Sequence, residues 1–279
     1  MRPELLAVSP VDVTAAVQLR SGPEPRACTL LLARPERGNA IDSDFAAALL
    51  QAARGVSELV AGGGIDCVLI AAEGKAFSVG GDLRDFPTDG DRAVPHIQAM
   101  AAVSHEAMAL LLELPVPVIA QVQGVAAGAG IGLAVFADVV IASTHARFKA
   151  GYPAVGLSPD CATTWLLPRL VGERRAMDLL LTNRSVDATE AERWGLVSRV
   201  VAPEELEDAA RQAVRAALQG GRDAAIETKR LLRSAPQDTL RAHMADEGTT
   251  IARLGGTPTA VAARTAFLET SRQQERSRT

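Results

Sequence analysis

Two segments of this 279-residue chain put glycine where backbone amides could face a ligand: Lys75-Ala76-Phe77-Ser78-Val79-Gly80-Gly81-Asp82-Leu83 and Gly128-Ala129-Gly130-Ile131-Gly132. Each follows a run that reads as a strand, and the second leads into a run that reads as a helix. Unpaired N–H groups at such a junction stabilise negative charge, and two of them converging on one oxygen form an oxyanion hole. The same glycines equally suit tight turns and close helix packing, and composition does not choose between the two. A third candidate is Asp160, at the end of Gly156-Leu157-Ser158-Pro159-Asp160. With Leu157, Ala154 and Trp165 around it, burial would lift its pKa towards that of a working base. With Thr163 three residues on, it also fits a helix N-cap. Other chemistries lack their spacing. His96, His105, His145 and His243 form no HxxxH pair, so no metal is expected. Cys161 has no paired histidine pattern and reads as a small buried apolar residue. The glycines of Gly128–Gly132 do not make a dinucleotide fingerprint, and no nucleophile elbow is present.

These residues need a scaffold, and the pattern supplies an α/β one. Ser43 to Leu59 repeats apolar residues at helical spacing behind Asp42 or Ser43 as cap. Ile65–Ile70, Val116–Val122 and Val139–Ala142 read as buried strands, and residues 127–136 as a helix. From Pro203 the pattern turns wholly helical, with Leu206, Ala210, Ala213, Val214 and Ala217 on one face and Gly220 as the stop. Further helices are expected between Asp223 and Thr270, broken at Gly255-Gly256, with Ser271–Thr279 frayed. The organisation expected is an α/β core over 1–200 and a helical region over 201–279, without an internal repeat.

Composition bounds the partners. The chain is 48% apolar, 3% aromatic and 22% charged, with a net charge of −4. Only Lys75, Lys149 and Lys229 are lysines, and the arginines are scattered among acids, which predicts no nucleic-acid surface. The uncharged stretch 114–137 contains Pro115, Pro117, Gln121, Gln123 and four glycines, unlike a membrane span. Three separated cysteines and no secretory signal point to a cytoplasmic protein.

The motifs carry a resemblance. Lys75–Leu83 resembles the acyl-CoA-binding loop of the crotonase (enoyl-CoA hydratase/isomerase) superfamily. Arg34-Pro35-Glu36-Arg37-Gly38-Asn39-Ala40-Ile41 resembles its early segment, Gln123–Asp138 its second oxyanion segment, and Ala188–Val197 its later one. The resemblance implies a spiral of ββα units with a C-terminal helical trimerisation region, assembling as a homotrimer or homohexamer. It implies an acyl-CoA thioester as substrate and no separate cofactor. The thioester oxygen would lie between the N–H groups of Gly81 and Ala129. Arg37, Ala40, Ser78, Asp82 and Leu83 would meet the nucleotide and pantetheine, and residues 84–112, with Met100, Val103, Met108 and Leu111, would either shape the acyl pocket or form helix core.

Hydratases of the superfamily use two glutamates. The matching positions hold Gly132 and Tyr152, neither of which can be a base near neutral pH. Asp160, followed by the run to Gly172, resembles the branch that includes the ring-1,2-epoxyphenylacetyl-CoA isomerase and Δ3,Δ2-enoyl-CoA isomerases, where an aspartate here transfers the proton. The implied activity is a double-bond shift through a dienolate, with Asp160 as shuttle and Tyr152 lining the pocket or bonding substrate. The alternatives are a non-catalytic acyl-CoA-binding homologue or another enolate chemistry, such as hydration or hydrolysis.

Overall fold

The computed structural model describes residues 16–233 and 237–276. The chain enters through an antiparallel hairpin, β1 (Val17–Ser21) on β2 (Ala27–Leu32), then α1 (Ser43–Ala61). Asp42 caps α1, its Oδ1 accepting from the Phe45 N–H at 2.9 Å. The helix buries Phe45, Leu49, Ala52, Val56 and Val60 at three- and four-residue spacing.

Three ββα units follow. The first is β3 (Cys67–Ala72), β4 (Ala76–Ser78) and α2 (Gly90–Leu112); the second is β5 (Val118–Val122), β6 (Val125–Ala127) and α3 (Ala129–Val135). The third is β7 (Val139–Ser143), β8 (Arg147–Lys149), a 3₁₀ turn at Tyr152–Val155 and α4 (Thr163–Val171). In each unit the first strand joins a large sheet and the three-residue second strand joins a small one. After α5 (Glu173–Thr182) come β9 (Ser185–Asp187), α6 (Ala188–Trp194) and β10 (Arg199–Val201). The chain then becomes helical: α7 (Leu206–Gln219), α8 (Arg222–Leu232), α9 (Gln237–Gly255) and α10 (Pro258–Arg276).

The large sheet runs β1-β2-β3-β5-β7-β10 and is parallel from β2 onward. Its strands are covered on both faces, which explains apolar runs such as Cys67-Val68-Leu69-Ile70 without alternation. On one face α7 sets Leu206, Ala210, Ala213 and Val214 against Leu69, Ile119 and Ile141. The small sheet runs β4-β6-β8-β9, with β4, β6 and β8 parallel and β9 antiparallel to β8. With few aromatics to spend, the chain places Phe45, Phe77, Phe136 and Phe148 fully inside and fills the remaining core with aliphatics and alanine.

At the C-terminus, where fraying was expected from Ser271, α10 continues to Arg276, and residues 277–279 lie outside the described residues. The segment forms a full helix because Pro258 opens it and Ala260 and Arg264 anchor it in the protein interior. No helix among the described residues is long and apolar enough to cross a membrane.

Candidate active site

Strands β4, β6 and β8 are parallel neighbours, so their C-terminal ends open side by side. Residues Gly80-Gly81, Gly128-Ala129 and Gly151-Tyr152 emerge there as three adjacent loops. Open parallel sheets place ligands in this crevice because the loops leave backbone groups free beyond the last ladder bond. A cavity of about 290 Å³ lies between these loops, lined by Gly81, Leu83, Ala129, Tyr152 and Asp160. Ile97 and Met100 from α2, Ile251 and Phe267 from the C-terminal helices, and Phe86 and Leu157 from loops add an apolar wall. Of the residues considered from α2, Met100 lines the cavity, while Met108 and Leu111 are buried in the core.

The two backbone donors are set by their neighbours. Ile41 and Gly81 form an isolated parallel bridge in which the Ile41 N–H donates to the Gly80 carbonyl at 2.8 Å and the Asp82 N–H to the Ile41 carbonyl at 2.8 Å. That pattern turns the N–H of Gly81 itself away from Ile41. Ala129 is the first residue of α3, where no intrahelical acceptor exists for its N–H. The left-handed backbone that the turn requires falls on Gly128, with φ 54°, so alanine at 129 costs nothing. Gly80, φ 81°, holds the two loops together: a Cβ there would lie 2.6 Å from the Ala127 carbonyl oxygen and 3.2 Å from the Ala129 nitrogen. Gly130 packs equally close to the Ser78 backbone. These glycines therefore fill the turn-and-packing role, in a geometry that is also compatible with backbone donors at Gly81 and Ala129.

Asp160 faces this cavity and is 7% exposed. Its Oδ1 accepts the Tyr152 hydroxyl proton at 2.9 Å. Burial raises the Asp160 pKa; the nearby His105 ring and the bonds from Tyr152, Cys161 and its own N–H work the other way. Tyr152 thus spends its hydroxyl on Asp160, and burial pushes the phenol well above its usual value. His105, from α2, sits with Nε2 3.9 Å from Asp160 Oδ2. That nitrogen accepts the Cys161 N–H at 3.2 Å, and the ring bonds the backbone at Met244. A ring held in this way is neutral, in keeping with the depression of its pKa by burial. It makes no ion pair with Asp160.

The N-cap expectation for Asp160 is corrected here. The residues that lead into α4, Cys161 and Ala162, both take left-handed backbone, with φ 50° and 59°, a cost of about 1–2 kcal/mol each for non-glycine residues. Glu247 of α9 supplies the cap from a distance. Its Oε2 accepts the Ala162 N–H at 2.8 Å, and its Oε1 accepts the Thr164 N–H at 3.3 Å and the Thr164 hydroxyl. Only the backbone carbonyl of Asp160 serves the helix, accepting from the Thr163 N–H at 3.0 Å. The Asp160 carboxylate is thereby free to face the cavity. Burial lifts Glu247 to about 7.

Gly132 is no vacated socket, because a Cβ there would overlap the Cys161 carbonyl oxygen. Trp165 is also not where it was expected. It lies under the Arg169 guanidinium, 3.5 Å from its ring centroid, and lines a separate groove; Leu157 and Ala154 do reach the cavity.

The remaining site candidates gather beside the first loop. Ala40 and Ser78 are sealed inside, and the Ser78 hydroxyl donates to the Asn39 carbonyl at 2.8 Å while accepting the Gly80 N–H at 3.2 Å. Arg37 bonds Asp82 at 2.6 Å and Asp42 at 3.0 Å, joined by Arg34 on Asp42 and Arg84 on Asp82. Three guanidinium groups against two carboxylates leave this cluster positive. His105, Asp160 and Cys161 do bring possible ligand atoms within 4.8 Å of one another, a grouping hidden in the sequence. His105 Nε2 is spent on the Cys161 N–H, and burial pushes the Cys161 thiol well up, so the three are arranged as hydrogen-bond partners rather than as a ligand set.

Comparison with known proteins agrees with this architecture. A family model described as Enoyl-CoA hydratase/isomerase matches residues 26–276. The 1,2-epoxyphenylacetyl-CoA isomerase of Escherichia coli (strain K12) is 39% identical over 188 residues, 67% of this chain and 71% of that protein. The 4-chlorobenzoyl coenzyme A dehalogenase-2 of an Arthrobacter species is 31% identical over 173 residues, 62% of each. The crystal structure of an enoyl-CoA hydratase/isomerase from Pseudoalteromonas atlantica T6c superposes with a TM-score of 0.79 at 29% identity, covering 91% of this chain and 97% of that one. With its ββα spiral and C-terminal helices, the chain belongs to the enoyl-CoA hydratase/isomerase family, the crotonase superfamily of enzymes acting on acyl-CoA thioesters.

Proposed function

We propose that the protein is an acyl-CoA isomerase that moves a double bond into conjugation with the thioester. The observation that carries this reading is the placement of Asp160, a buried carboxylate facing the cavity that Gly81 and Ala129 line, while the two hydratase positions hold Gly132 and Tyr152. Asp160 removes a proton from C2 of a 3-enoyl thioester, and the electron pair moves through the carbonyl to leave a dienolate oxygen. The Gly81 and Ala129 N–H groups hold that oxygen, an effect worth about 2.7–4 kcal/mol per donor. Protonated Asp160 returns its proton to C4, which leaves the double bond between C2 and C3. The raised pKa of Asp160 suits both steps. The positive cluster of Arg34, Arg37 and Arg84 offers a seat to the phosphates of coenzyme A, and the homotrimer or homohexamer implied by the resemblance belongs to the same proposal.

A second reading rests on His105. A carboxylate beside an imidazole also fits nucleophilic displacement, and the Arthrobacter relative is named as a dehalogenase. The bond from the Cys161 N–H to Nε2 leaves that nitrogen without a free lone pair, which favours the isomerase.

Wild type and Asp160→Asn are assayed with 3-enoyl-CoA, with crotonyl-CoA for hydration and 4-chlorobenzoyl-CoA for chloride release. Conjugated product from the wild type and a loss of at least ~10²-fold in the variant are expected. Retained turnover in Asp160→Asn refutes the shuttle. Ester binding without turnover of any substrate would replace it with a binding protein.

A further inference from the structure

Arg264 of α10 is 1% exposed and is among the largest fully buried side chains. Its Nη2 reaches the Pro87 carbonyl at 3.3 Å, while Nε and Nη1 have no hydrogen-bond partner. No acidic side chain pairs with it among the described residues. A guanidinium keeps its charge in proteins, so this is a buried cation with two idle donors and no counter-ion, an arrangement that folding alone disfavours. Burial accordingly pushes its pKa down.

Its position ties it to the cavity. The guanidinium lies 5.8 Å from the ring centroid of Phe86, and the Phe86 ring packs 3.3 Å from where a Cβ of Gly81 would stand. Nη1 shares one packed layer with Leu157 and Ile97: a Cβ at Gly255 would meet Leu157 Cδ2 at 3.5 Å, Nη1 at 3.7 Å and the Ile97 side chain. Phe86, Ile97 and Leu157 are all cavity wall. The charge therefore stands directly behind the apolar wall of the acyl end, one aromatic ring from the first oxyanion donor. The burial of Arg264 is already complete within one chain.

We infer that Arg264 is a specificity group of the acyl pocket and that the protein takes acyl-CoA thioesters whose acyl chain ends in a carboxylate. This rests on the acyl-CoA reading above and narrows its substrate class. The terminal carboxylate parts Ile97 and Leu157, accepts from the idle donors of Arg264 and supplies the missing negative charge. A methyl-terminated chain of the same length leaves the donors unpaired.

The test uses saturated esters, so that it reads binding and not turnover. Succinyl-, adipoyl- and suberoyl-CoA are titrated calorimetrically against butyryl-, hexanoyl- and octanoyl-CoA. The wild type is expected to bind at least one dicarboxylic ester about tenfold or more tighter than its methyl-terminated match, the lower end for a hydrogen bond to a charged group. Arg264→Met should lose that preference while keeping its affinity for the matched neutral ester, and Arg264→Lys should keep part of it. Equal or weaker binding of every dicarboxylic ester by the wild type overturns the inference, whether or not Arg264→Met folds. If no ester of either kind binds, the acyl-CoA reading itself fails.

Discussion

Replacing Tyr152 with phenylalanine removes one hydroxyl, 2.9 Å from Asp160, inside a site where both side chains are buried. A hydrogen bond to a charged group is worth about 1.5–3 kcal/mol, and one pKa unit corresponds to about 1.36 kcal/mol. The Cys161 thiol and the Asp160 N–H remain as donors, but His105 cannot substitute, since its near nitrogen accepts rather than donates. The carboxylate form should therefore lose stability and its pKa rise by about 1–2 units. A base must be ionised to act, so the acidic limb of the pH profile of kcat/KM for 3-enoyl-CoA isomerisation should move to higher pH by that amount. Turnover on the alkaline plateau should persist, because the remaining base is stronger. An unmoved limb, with Asp160→Asn inactive, would show that the hydroxyl does not bond the working carboxylate, and a limb moved to lower pH would reverse the electrostatic argument.

Gly132→Glu should not create a hydratase: overlap with the Cys161 carbonyl should displace the segment behind Asp160, lower isomerase activity and cost about 1–3 kcal/mol of stability. Hydration of crotonyl-CoA by the variant, at unchanged melting temperature, would contradict this. Glu247 gives a pH signature of its own. Its pKa is about 7 in the fold against a reference of 4.5, so its contribution to stability is full below 4.5 and is lost as pH rises through about 7. The difference in unfolding free energy between wild type and Glu247→Gln should change by about 2–3 kcal/mol between pH 5 and 8, read from urea melts. His105, with a depressed pKa, gains stability over the same range as pH rises, but it does so in both proteins and cancels in the difference. A difference independent of pH would refute the burial argument for Glu247.

Much of the fold and site lies open in the sequence because it is local. The glycine loops, the Asp42 cap, the buried strands and the helices after Pro203 each declare themselves within a few residues. The three-residue strands β4, β6 and β8 are too short to show any period, which is why the ββα repetition is invisible as a sequence repeat. The partners of Asp160 are hidden for a different reason. His105 and Glu247 reach the segment after it from 56 and 85 residues away, on helices whose apolar patterning says only that they are packed. Local reasoning makes Asp160 the cap of α4 because it sees no other acceptor; the fold brings Glu247 there and releases the aspartate. Arg264 is hidden likewise, since an arginine on a terminal helix reads as solvent-exposed.

The two donors proposed to hold the thioester oxygen are main-chain amides, fixed by the ends of β4 and β6 and by the contact at Gly80. Changing a side chain cannot delete them; only a change in backbone course could. The groups proposed to move the proton are side chains, exchangeable singly. A lineage built on this frame can therefore keep its capacity to stabilise an enolate through any number of substitutions while the reaction drawn from that enolate changes. In this chain Gly132 stands against a neighbouring carbonyl, and Tyr152 supports the Asp160 carboxylate.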